Sequence, residues 1–138
     1  MTKQGDYMIS SGATATLTRL VGVQDLASAF GNDSDEQYPD VMSTPAMLGL
    51  MERACAEVMR GELDGDQLSV GVTTQLTHSA PTPVGAEVSA TASFRGQEGN
   101  LYVFDIIARD SKGQVGSGTH ARAIVDRAAI EKKAASRR

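Results

Sequence analysis

The sequence contains no tryptophan and only three phenylalanines and three tyrosines. Its core must therefore be built from Val, Leu, Ile, Met and Ala. One cysteine, Cys55, stands alone. That excludes an internal disulfide, and with no C-x-x-C pair or Cys/His cluster no metal site is indicated. No run of 18 apolar residues exists, so nothing here spans a membrane. The N-terminus lacks the apolar stretch of a secretory signal, which points to a cytoplasmic protein. Positive charge is not in excess: the formal net charge is −4, which argues against a nucleic-acid partner.

What remains is the composition of a folded domain. Of 138 residues, 41% are apolar and 22% charged, which suits one globular domain over residues 1–138. A chain of this size buries about two thirds of its unfolded surface. Charge is uneven, because residues 126–138 hold five Lys or Arg against two acids. Residues 1–12 and 127–138 read as flexible or peripheral termini, the basic tail as a solvated end.

The order of elements follows from periodicity. "ATATLTRLVGV" is β-branched and partly alternating, a strand pattern. Residues 30–43, "FGNDSDEQYPDVMS", form an acidic, punctuated loop. A loop this long in a small domain is a candidate lid. Then Met47, Leu48, Met51, Ala54, Cys55, Val58 and Met59 recur at helical steps, with Thr44 as N-cap, Pro45 at the first helical position and Gly61 as the stop. Four strand patterns follow. In the first, Leu68, Val70, Val72 and Leu76 make one apolar face. In the second, Ala86, Val88, Ala90, Ala92 and Phe94 do so. "NLYVFDIIARD" is apolar on both faces and reads as central, and "SKG" turns the chain into the last strand. Strand, loop, helix and four antiparallel strands give an α+β layer architecture, the hot-dog fold, in which a sheet wraps one long helix.

Two polar residues disturb this pattern. On a helical wheel at 100° per residue, Glu52 falls at the rim of the apolar stripe, next to Met59. On its own it reads as a half-exposed carboxylate. His78 continues the even face of its strand and stands near the strand end, in a titration range suited to acid–base work. Alone it reads as a hydrogen-bonded core histidine. Thr44 has the cap as its simplest role, yet a helix N-terminus also offers free N–H groups and a positive dipole end to an oxyanion. Cys55 reads as core. No G-x-S-x-G elbow, Walker loop or G-x-G-x-x-G occurs, and "GSG" at 116–118 reads as close backbone approach or a bulge.

Taken together, "TPAMLGLMERAC", "SVGVTTQLTHSAPTPVG", "EVSATASFRGQEG" and "GSGTHARAIV" resemble the fluoroacetyl-coenzyme A thioesterase family of hot-dog acyl-CoA hydrolases, in register over residues 38–126. The resemblance implies a catalytic set of Thr44, Glu52 and His78 and substrate-site roles for Gly71 and Arg122. It also implies a homodimer with thioester sites at the subunit interface, and no cofactor beyond the coenzyme A of the substrate. The family's fluoroacetyl-specific member carries aromatic lid residues before the helix. Tyr38 keeps one such position and Asp35 does not, so the resemblance stops short of fluorinated-acyl selectivity. If Thr44 and Glu52 share one helix, they lie about 12 Å apart along its axis. The expected activity is hydrolysis of a small acyl-CoA thioester. The rivals are a non-catalytic acyl-CoA-binding module and an enoyl-CoA hydratase on the same fold.

Overall fold

In the computed structural model, residues 9–138 are described; residues 1–8, part of the expected peripheral N-terminus, lie outside them. Strand β1 spans Thr14–Leu20 and alternates strictly between exposed and half-buried residues. Two short 3₁₀ turns, Val23–Asp25 and Ala27–Phe30, lead into the acidic loop. Helix α1 spans Thr44–Met59 and buries Met47, Leu50, Met51, Ala54, Cys55 and Met59. A 3₁₀ turn at Arg60–Glu62 ends it, with Gly61 inside that turn. Strands β2 (Gln67–His78), β3 (Glu87–Glu98), β4 (Leu101–Asp110) and β5 (Gly113–Asp126) follow. The basic tail is a helix, α2, over Arg127–Ala135, capped by the Asp126 carboxylate on the Ala129 amide.

The five strands form one antiparallel sheet in the order β1-β3-β4-β5-β2. This is the hot-dog arrangement expected from the element order. β4 is the central strand, which explains why Tyr102, Val103, Phe104, Ile106 and Ala108 are all buried. α1 lies mainly against β3 and β1. Val88, Ala90, Ala92 and Phe94 on β3 are buried beneath it, and the two alanines let helix and sheet approach closely. Each large side chain sealed here contributes roughly 2 kcal/mol by burial. With no tryptophan, the core relies on Met42, Met47, Met51 and Met59, all at most 1% exposed.

The inner face of β2 differs from the one expected. A bulge at Val72, between Gly71 and Thr73, interrupts the pairing with β5. One extra residue reverses which side chains face the core. Before the bulge the odd residues Ser69 and Gly71 face inward, paired with Ile124 and Arg122. After it the even residues Thr74, Leu76 and His78 do. Leu68, Val70 and Val72 therefore do not belong to the apolar face, and Val72 is 54% exposed. Among the described residues β2 is also an unpaired edge, 12 residues long.

Candidate active site

The N-terminus of α1 is built differently from the sequence expectation. Ser43, not Thr44, is the N-cap: its hydroxyl accepts from the Ala46 amide at 3.1 Å. Thr44 is the first helical residue and Pro45 the second. The cap is fixed from outside, because the Ser43 amide donates to the Asp25 carbonyl and the Met42 amide to the Thr82 carbonyl. With the cap supplied by its neighbour, the Thr44 hydroxyl is released for another partner. It meets His78 Nδ1 at 2.9 Å. The free amide cluster expected at this helix end is smaller than anticipated. Pro45 has no N–H, and the Ala46 amide is taken by the cap.

Two hollows flank Thr44. One, about 330 Å³, is lined by Val41, Thr44, His78 and Ala80 among others. The second, about 290 Å³, is lined by Phe30, Tyr38, Thr44 and Pro45 with Ala27 and Ser43. Tyr38 is half exposed and donates from its hydroxyl to Glu36 at 2.9 Å. That bond holds the exposed Glu36 carboxyl below its ordinary value. Asp35 is exposed, with its amide turned back to the Asp33 carboxylate.

Glu52 sits two turns further along α1, in a second cluster. Its Oε2 lies 3.3 Å from Arg122 Nη1 and 4.0 Å from His120 Nε2. The Glu52 side chain is 45% exposed, whereas Arg122 is 5% and His120 3% exposed. Gly71 opens the space: a Cβ there would overlap Glu52 Oε2 and crowd His120 Cε1 at 3.0 Å. Arg122 is anchored by Ser69, donating from Nε to its hydroxyl at 2.9 Å and from Nη2 to its carbonyl at 2.7 Å. His120 completes the set, with Nδ1 2.6 Å from the Thr74 hydroxyl and Nε2 3.1 Å from Arg122 Nη1. Burial, aided by Arg122, keeps His120 below the usual histidine value. Cys55 is fully buried in the core and its thiol is pushed up to about 12, chiefly by burial, so it offers no nucleophile.

The structure thus brings Thr44 to His78, and Glu52 to Gly71 and Arg122, as two separate clusters. The first lies at the end of β2 and the second near its bulge at Val72. His120 and Thr74 were not singled out in the sequence. The bulge explains why: with an unbroken alternation, Thr74 belongs to a face that includes Val70 and Val72, and His120 is one residue in a glycine-rich strand. The usable signal was the i, i+2 spacing of His120 and Arg122, which puts both on one face of β5. The neighbouring glycines do mark close approach. Met47 Sδ packs on Gly116, and a Cβ at Gly118 would strike the Gln75 carbonyl.

Among the described residues no helix is long and apolar enough to cross a membrane. The profile of a family described as fluoroacetyl-CoA-specific thioesterase matches residues 21–128. The fluoroacetyl-CoA thioesterase of Streptantibioticus cattleyicolor is 39% identical over 89 residues, 64% of this chain and 64% of that protein. The match thus spans a little under two thirds of that relative's length. A solved structure of the fluoroacetyl-CoA thioesterase FlK is similar at a TM-score of 0.88 and 31% identity, over 94% of this chain and 97% of the other. A crystal structure of a variant of FlK with fluoroacetate and CoA has a TM-score of 0.83 at 32% identity, over 88% and 98%.

Proposed function

The chain belongs to the fluoroacetyl-CoA-specific thioesterase family, and from that premise we propose that it hydrolyses a small or short-chain acyl-CoA thioester. The observation that carries this reading is the 2.9 Å hydrogen bond between Thr44 and His78, beside two hollows and at a positive helix end. A hydroxyl held by an imidazole in this way is the arrangement of nucleophilic and proton-transfer chemistry. Thr44 orients the thioester carbonyl. Glu52 acts as general base and takes a proton from the water that attacks the carbonyl carbon. The C–S bond breaks, His78 gives a proton to the departing thiolate, and the proton taken up by Glu52 passes back to His78 through solvent. The products are the free acid and coenzyme A. The hydrogen bond also supports a second reading of Thr44, as the nucleophile whose proton His78 accepts. Trapping of an acylated Thr44 distinguishes the two.

One chain leaves Thr44 and Glu52 about 12 Å apart along α1, too far to act on one carbonyl. The long unpaired edge of β2 offers a solution. Antiparallel pairing of two copies along β2 runs the strands in opposite directions. It carries the Thr44–His78 end of each copy toward the Glu52 cluster of the other. We therefore read the protein as a cytoplasmic homodimer with two composite sites. Tyr38, Gly71 and Arg122 complete the site: Tyr38 by lining the acyl hollow, Gly71 and Arg122 by seating Glu52. The non-aromatic Asp35 speaks for an acyl group other than fluoroacetyl. No cofactor is required beyond the coenzyme A moiety of the substrate.

Free-thiol release across acetyl-, fluoroacetyl-, branched, aromatic and long-chain acyl-CoA tests this reading. Thiol release that falls by orders of magnitude in both Glu52→Gln and His78→Ala is expected. Thermal stabilisation by acyl-CoA without thiol release identifies a binding module instead. Consumption of an enoyl-CoA without thiol release identifies a hydratase. Unchanged hydrolysis in both variants removes the proposed roles.

A further inference from the structure

Thr74 and His120 take no part in the hydrolysis proposed above, yet they meet at 2.6 Å across β2 and β5. His120 is 3% exposed and has Phe104, a fully buried core residue, as its neighbour on β4. An aliphatic or phenyl side chain would fill this position without burying polar nitrogens, which cost free energy unless paired. Its two nitrogens have defined partners. A guanidinium has donors only, so His120 Nε2, 3.1 Å from Arg122 Nη1, accepts. The proton of the neutral ring is then on Nδ1, which donates to the Thr74 hydroxyl at 2.6 Å. The hydrogen bonds thus select one tautomer and favour the neutral ring, in keeping with the lowered value that burial imposes.

Arg122 is consequently fixed on two sides. Ser69 holds Nε and Nη2, and His120 holds Nη1. The same Nη1 is the atom 3.3 Å from Glu52 Oε2. Glu52 itself is 45% exposed and on a flexible stem, and Arg122 at 3.3 Å, nearer than His120 Nε2 at 4.0 Å, is the permanent cation that gives it direction. We propose that Thr74 and His120 form a positioning pair that acts through Arg122 to aim the Glu52 carboxylate, without touching the thioester. This inference rests on the general-base reading of Glu52.

The test is a double-mutant cycle on the full-length protein, read by thiol release from the best substrate of the panel, with thermal unfolding alongside. His120→Phe is expected to lower kcat by roughly 10- to 100-fold, as displacement of a reacting group by about 1 Å does, with KM changed less than about twofold. In a Glu52→Gln background the same substitution is expected to cost less than about twofold, because two residues acting through one group are not additive. His120→Gln, whose Oε1 reaches the place of Nε2, is expected to restore most of the rate, whereas His120→Asn is not. Thr74→Val is expected to resemble His120→Phe in smaller measure. Equal losses in both backgrounds overturn the inference, as does full activity of His120→Phe while Glu52→Gln is impaired. If Glu52→Gln is itself fully active, the underlying reading of Glu52 fails instead. Should His120→Phe not fold, equal rates for His120→Gln and His120→Asn overturn the inference.

Discussion

Gly71→Ala isolates geometry from chemistry, because it adds one methyl and removes no functional group. Gly71 does not have positive φ, so alanine fits the backbone. The new Cβ lands on Glu52 Oε2 and within 3.0 Å of His120 Cε1. To restore van der Waals distance the carboxylate must retreat by about 1 Å. That stretches its 3.3 Å approach to Arg122. Glu52 is half exposed and can swing into water, so the fold loses little; overpacking against the buried imidazole costs about 1 kcal/mol, a fall of about 4 °C in Tm. Catalysis is more sensitive: about 1 Å of misplacement lowers rate by about 100-fold, about 2.7 kcal/mol of barrier. The expected result is therefore a protein that is folded at 25 °C but two orders of magnitude slower in thiol release, with KM little changed. Gly71→Ala at full activity, with a Tm within a few degrees of the parent, would refute the claim that Gly71 seats the catalytic carboxylate.

Three further predictions concern the frame that holds the site. Ser43→Ala removes the helix cap and is expected to destabilise by about 1 kcal/mol, seen as a lower denaturation midpoint in urea; no change contradicts the cap assignment. Asp25 is 6% exposed and accepts from Arg19 Nε and the Gly22 amide, both at 2.8 Å. The Arg19 hydrogen bond holds its carboxyl below the ordinary value. A depressed value means stability that is present above the unfolded value, near 3.8, and lost as pH falls through the folded one. Asp25→Ala is thus expected to cost about 1–2 kcal/mol at pH 7, with the gap from the parent narrowing below about pH 4; a gap constant with pH contradicts it. Val72→Lys places a charge on the open edge of β2 and is expected to shift sedimentation toward a single copy and abolish thiol release. A fully active single-copy species contradicts a site composed from two copies.

The element order was legible in the sequence because each element declares its own period. Helical spacing marks Met47 through Met59, alternation marks β3, and a two-sided apolar run marks β4 as central. These are local signals, and the antiparallel hot-dog sheet follows from their order and the short turns between them. The residue types able to perform chemistry were legible too, since Glu52 and His78 interrupt otherwise apolar patterns. Two decisions were not local. The cap passed from Thr44 to Ser43 because Asp25 and Thr82, distant in sequence, hold that stretch by its backbone. That transfer makes the Thr44 hydroxyl available to His78. The inward face of β2 changed at Val72 because a bulge is a property of two paired strands, invisible in the alternation of one. That shift puts Gly71 and Thr74 on the same side of the sheet, with Arg122 and His120 opposite them. By itself the sequence determined which groups the protein possesses and which elements carry them; tertiary pairing decided which of those groups meet, because hydrogen-bond register and backbone anchoring are set by partners far along the chain.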